Sequence, residues 1–124
     1  MIDRYVLPKM GEIWQDQNKF SKMLKIEILV CEALTKLGKI PKESLEKIKK
    51  KARFDIETVQ KIEEKAKHDV ASFLVNVAEN LGPEAKYLHL GMTSSDLLDT
   101  TLALQCVEAA NILIADLKKL LQIL

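Results

Sequence analysis

The last stretch of the chain constrains the fold most. From Thr93 to Leu124 there is no Gly and no Pro. Leu102, Cys106, Ala109, Leu113, Leu117, Leu120 and Leu124 recur there in steps of three and four. That spacing places them on one face of a single helix, about 48 Å long at ~1.5 Å per residue. So long a half-apolar helix needs partner helices to cover it. The expected fold is therefore all-α. No Gly, Asn or Pro closes the apolar repeat after LLQIL, and such signals normally end a helix. The expectation is an N-terminal helical domain over residues 1–92, followed by the first part of a long central bundle helix over residues 93–124. In that reading the chain is the N-terminal piece of a longer protein, cut inside a helix.

The segment before Thr93 reads as shorter helices. Residues 1–7 form an extended arm, and Pro8 suits the first turn of a short helix carrying Met10, Ile13 and Trp14. Asp16 is the candidate N-cap of the next helix, which runs to about Leu37. Its apolar residues fall into two stripes, one through Met23, Ile26 and Val30, the other through Phe20, Leu24, Ile28 and Cys31. A face that wide implies burial on more than one side. Gly38 and Pro41 end this helix. A short helix over 42–51 follows, then one from an Asp55 cap to about Ala66. A break near Lys67–Asp69 precedes a further helix that stops at Gly82-Pro83.

Composition narrows the function classes. Nineteen basic and eighteen acidic residues give a net charge of +1, so the chain lacks the basic excess of a nucleic-acid binder. The run Lys47 to Arg53 is basic, but Asp55, Glu57, Glu63 and Glu64 follow it, as on a solvated helix face. The two cysteines, Cys31 and Cys106, stand in apolar helical patterns and read as small buried hydrophobes. No CxxC pair or His/Cys spacing suggests a metal. Isolated cysteines of this kind suit a reducing cytoplasm. No unbroken apolar run approaches the ~18 residues of a membrane span, and no signal peptide opens the chain.

Four short stretches carry polar groups suited to chemistry, and each has a structural explanation beside the functional one. Arg4 offers a planar fork of donors and Tyr5 a ring and a hydroxyl, or both belong to a solvated arm. Lys67, His68 and Asp69 place a cation, an imidazole and a carboxylate at one helix start, where Asp69 would equally serve as an N-cap. His89 stands on a connector just before Gly91. Thr93, Ser94 and Asp96 open the long helix as an approximate capping box, and a helix N-terminus with free N–H groups is also an anion site.

Taken together and in order, "RY", "LPKMGEIW", "LGKIP", "KHDVASF" and "HLGMTSSDLLDT" resemble the adenylosuccinate lyases of the fumarase/aspartase superfamily. The likeness spans essentially the whole chain. "TSSDLLDT" alone is also close to carboxymuconate cycloisomerase, a relative in the same superfamily. A non-catalytic helical dimerisation module is a further alternative.

The resemblance implies elimination of fumarate from adenylosuccinate, giving AMP, and from succinylaminoimidazole carboxamide ribotide. It implies no cofactor, no nucleic-acid or membrane partner, and a homotetramer whose sites draw on several subunits. It also implies that Arg4 and Tyr5 contact the nucleotide and that Lys67, His68 and Asp69 line the site. His68 would bind substrate or assist proton transfer. His89 would lie near the phosphate, and Thr93 and Ser94 would bind a succinyl carboxylate, one of the two hydroxyls capping and the other pointing outward. The superfamily's later histidine motif and its GSSxMPxKxNP loop have no counterpart here. The principal acid and base are therefore expected beyond residue 124, and the chain alone is expected to be inactive.

Overall fold

The computed structural model describes residues 3–124. Among them are six α-helices, two short 3₁₀ turns and no strand. The helices are α1 (Pro8–Ile13), α2 (Asp16–Lys36), α3 (Lys42–Lys51), α4 (Ile56–Ala66), α5 (Asp69–Glu79) and α6 (Ser94–Ile123). The turns cover Asp3–Tyr5 and Gly82–Tyr87. The arm before Pro8 is thus partly coiled rather than extended, and Met1 and Ile2 lie outside the described residues.

Local chemistry sets most of the boundaries. Pro8 occupies the first turn of α1, where its missing N–H costs nothing. Gly38 takes a φ of +72° after α2, as a C′ residue does. Asp55 caps α4 by accepting the Thr58 N–H at 2.8 Å. Two caps differ from the sequence reading. Gln15, not Asp16, is the N-cap of α2, so Asp16 stands one position inside and complements the helix dipole instead. His68, not Asp69, caps α5. Its imidazole nitrogen reaches the backbone N–H of the third residue on, while the only backbone N–H that the Asp69 carboxylate accepts among the described residues is that of the adjacent Val70, at 2.7 Å.

An aromatic cluster anchors the core. Phe20 of α2 stacks on Phe73 of α5 with centroids 5.5 Å apart, and Phe54 tilts against both. Met23 of α2 and Val70 and Val77 of α5 belong to the same buried cluster, together with Ile48 of α3, Val59 of α4 and Leu97 of α6. Such aromatic pairs add to the large apolar area they bury.

Helix α6 runs antiparallel to α2. The early residues of α2, Asn18 and Lys22, meet Glu108, while Glu27 in mid-α2 meets His89 just before α6 begins. The face of α6 turned to the rest of the chain carries Leu97, Thr101 and Gln105. Gln105 donates to the Ile13 carbonyl at 2.7 Å. The leucine stripe points the other way, with Leu117 64% exposed and Leu102 and Leu113 more than half exposed. Cys106, expected to be buried, is exposed for the same reason. The expectation about membrane spans also needs correction. Helix α6 contains an 18-residue window long and apolar enough to cross a membrane by length and composition alone. It escapes a search for unbroken apolar runs because isolated polar residues interrupt it. Two of these, Gln105 and Glu108, bond to the end of α1 and to α2.

Candidate functional site

The polar groups singled out in the sequence fall into three places. The first is the connector that enters α6. His89 has a φ of +57°, a left-handed conformation that residues with a Cβ seldom adopt. Its backbone N–H donates to Glu27 Oε2 at 2.8 Å, and its ring Nδ1 lies 2.7 Å from Glu27 Oε1. Glu27 is 1% exposed. Asp96 Oδ2 accepts the Thr93 N–H at 2.7 Å and the Thr93 hydroxyl at 3.1 Å. The backbone N–H of Thr93, then its hydroxyl, hold the Asp96 carboxyl below the usual carboxylate range, and His89 adds a smaller push the same way. Thr93 is therefore engaged in the cap. Among the described residues the Ser94 hydroxyl has no hydrogen-bond partner, which leaves it available beside the free N–H groups of the helix start.

The second place is the junction of α4 and α5. Lys67 closes α4 in a left-handed conformation with φ +53°. Its side chain borders an open groove with Gln60, Glu63 and Glu64. His68 Nδ1 accepts the Ala71 N–H at 3.2 Å. An imidazole nitrogen that accepts cannot carry the proton, so Nε2 of His68 bears it and is an outward donor. Asp69 lies 3.9 Å from Lys19 near the start of α2. Lys19 and Glu27 are eight residues apart on α2, so this junction and the His89 connector are about 12 Å apart along that helix.

The third place is the N-terminal arm. The Arg4 guanidinium lies over the Tyr5 ring, 4.9 Å from its centroid. Tyr5 lines an apolar groove of about 710 Å³ against Ile112, Leu113 and Lys119 of α6. That groove is some 20 residues down α6 from Thr93, roughly 30 Å at 1.5 Å per residue. Arg4 and Tyr5 therefore do not join His89, Thr93 and Ser94 within one chain. No cluster of His, Cys, Asp or Glu among the described residues has the arrangement to hold a metal ion. Burial pushes the Cys31 thiol up to about 11, with nearby Glu27 adding to the effect, so it is no nucleophile at neutral pH.

Residues 4–124 match the family described as Lyase. The chain belongs to this lyase family. Adenylosuccinate lyase of Synechocystis sp. is 49% identical over 122 residues, 98% of this chain and 28% of the relative. The adenylosuccinate lyases of Aquifex aeolicus and Bacillus subtilis are 47% and 44% identical, over 98% and 100% of this chain and 29% of each relative. A crystal structure of fumarate lyase from Mesorhizobium sp. BNC1 superposes with a TM-score of 0.73 at 25% identity, covering 81% of this chain and 24% of that one. The chain thus spans under a third of the length of the curated relatives it matches.

Glu27 was missed in the sequence. A signal for it was present. Met23, Glu27 and Cys31 follow one another in steps of four on α2, and all three are buried. A carboxylate on a buried stripe is rarely left without a partner.

Proposed function

We propose that this chain is the N-terminal part of an adenylosuccinate lyase. The whole enzyme would eliminate fumarate from adenylosuccinate, giving AMP, and from succinylaminoimidazole carboxamide ribotide, in purine biosynthesis in the cytoplasm. The observation that carries the proposal is the 44–49% identity to three adenylosuccinate lyases over nearly the entire chain. Residues 1–92 form the N-terminal helical domain in this reading, and residue 93 begins the central bundle helix.

The substrate is a polyanion with one phosphate and two carboxylates. Removing a proton beside a carboxylate demands stabilisation of the charge that develops there. His68 supplies an outward Nε2–H donor. The α6 N-terminus, with Ser94, supplies a second set of donors about 12 Å away along α2, and His89 Nε2 joins it as a donor when its ring is charged. Lys67 adds a cation next to His68, and Asp69 ties the junction to Lys19. Because its Nδ1 is committed to the α5 cap, His68 serves as a hydrogen-bond donor to substrate more readily than as the reacting acid. The principal acid and base come from residues outside this segment.

Arg4 and Tyr5 are roughly 30 Å from Thr93 along α6, too far to share one nucleotide with it. They contribute to a different site of an assembly, as in a homotetramer whose sites draw on several subunits. The exposed leucine stripe of α6 is the surface on which such subunits meet, since an apolar face of this size marks an interface.

Two measurements test the proposal. The purified chain alone is expected to release no fumarate from adenylosuccinate, followed by ultraviolet absorbance, and turnover by it alone would contradict the division of labour. Co-expressed with the remaining part of the Bacillus subtilis relative, it is expected to assemble into an active lyase. A co-assembled but inactive pair would contradict the assignment.

A further inference from the structure

We propose that Glu27 is a positioning residue that holds His89 in its left-handed backbone conformation and fixes its ring proton on Nδ1, so that Nε2 alone is offered to a ligand. The functional consequence rests on the reading of His89 as a substrate-binding residue; the geometry itself does not.

Three observations converge on Glu27. It is 1% exposed in the middle of α2, where an unpartnered carboxylate is costly. Among the described residues its hydrogen-bond partners both belong to His89, the backbone N–H at 2.8 Å and the ring Nδ1 at 2.7 Å. His89 in turn has a φ of +57°, which a residue with a Cβ keeps only where its surroundings fix it. One carboxylate therefore satisfies itself, the backbone and the ring together.

The tautomer follows from hydrogen-bond inventory. An ionised carboxylate only accepts, so the hydrogen between Glu27 Oε1 and His89 Nδ1 belongs to the ring. Nε2 has no hydrogen-bond partner among the described residues, and it is a donor when the ring is charged and an acceptor when it is neutral. His68 is the opposite case. Its Nδ1 accepts from the Ala71 N–H, and its proton is on Nε2. The chain contains only these two histidines, and the fold gives them opposite tautomers by two different devices, a buried carboxylate and a helix cap.

The test is a multiple-bond proton–nitrogen correlation on the full chain labelled with ¹⁵N-histidine, at a pH where the rings are neutral. The expected result is one histidine protonated on Nδ1 and one on Nε2, assigned to His89 and His68 by His68→Asn. Glu27→Gln then inverts or averages the His89 pattern and leaves His68 unchanged. A bare Nδ1 on His89 in the unmodified chain overturns the proposal, as does an unchanged His89 pattern in folded Glu27→Gln. If Glu27→Gln does not fold, the unmodified chain decides. A purely structural role for Glu27 would lower the unfolding midpoint of the variant without moving the His89 tautomer. Failure of the lyase reading is separable, since it appears as an inactive assembly with the tautomer pattern intact.

Discussion

Lys22 of α2 and Glu108 of α6 meet at 2.7 Å, and the Lys22 side chain is only 10% exposed. Asn18 completes the arrangement, accepting from Lys22 at 2.7 Å and donating to Glu108 at 3.1 Å. This triad fixes the register of α6 on α2 at the point where the contact face turns polar. Lys22→Ala leaves Glu108 with Asn18 alone. The expected loss is about 1 kcal/mol, the value of a charge-assisted bond discounted because Glu108 is partly solvated. Urea unfolding of the variant measures it.

The same carboxylate gives the chain an acid-sensitive contact. Hydrogen bonding from Lys22, then from Asn18, holds the Glu108 carboxyl below its ordinary 4.5. A group with a depressed folded-state pKa stabilises fully above its unfolded value, and that stability is lost as pH falls through the folded value. Glu84, held down chiefly by Lys47, has the same sign. Stability should therefore be flat just above pH 4.5 and fall below it. Glu108→Gln should flatten part of that fall, read from urea midpoints on both sides of pH 4.5.

Gly11 lets the N-terminal arm approach α1. A Cβ at that position would lie 2.6 Å from Val6 Cγ1, and a β-branched neighbour has little rotamer freedom to yield. Gly11→Ala should push the arm off its seat against α6 at a cost of about 1–3 kcal/mol. Faster tryptic cleavage after Arg4 and Lys9, with the rest of the fold intact, is the expected result.

In the proposed function His68 has two separable duties. His68→Ala removes both the α5 cap and the Nε2 donor, whereas His68→Asn can keep the cap. The alanine variant should be less stable by about 1 kcal/mol, and the asparagine variant close to the unmodified chain. In an active assembly both should lose turnover alike, roughly 10- to 100-fold, the value of one hydrogen bond to a charged group. Parallel thermal unfolding and fumarate-release assays separate the two effects.

Much of the fold is legible in the sequence because its signals are local. Pro8, Gly38, Asp55 and the Gly82-Pro83 pair act through backbone sterics or a three-residue reach, and α3 falls over 42–51 as expected. The orientation of α6 is not local. Its leucine stripe predicts a buried face, yet Leu97, Thr101 and Gln105 face this chain while Leu102, Leu117 and Leu120 of the stripe stay exposed. Periodicity identifies a face that will be covered, not what covers it. The candidate residues were legible one by one, but their grouping depended on tertiary distance. Arg4 and Tyr5 prove remote from Thr93, and Glu27 becomes relevant only because α2 passes behind the His89 connector.

If these residues supply the N-terminal share of an adenylosuccinate lyase site, as proposed, they should be exchangeable with those of a relative. The chain would replace the matching N-terminal residues of the Bacillus subtilis relative, which it aligns with along its full length. Fumarate release would then be followed with adenylosuccinate and with succinylaminoimidazole carboxamide ribotide. The expected result is turnover of both by the chimera, abolished or strongly reduced by His68→Ala. A folded, assembled chimera that turns over neither substrate would contradict it.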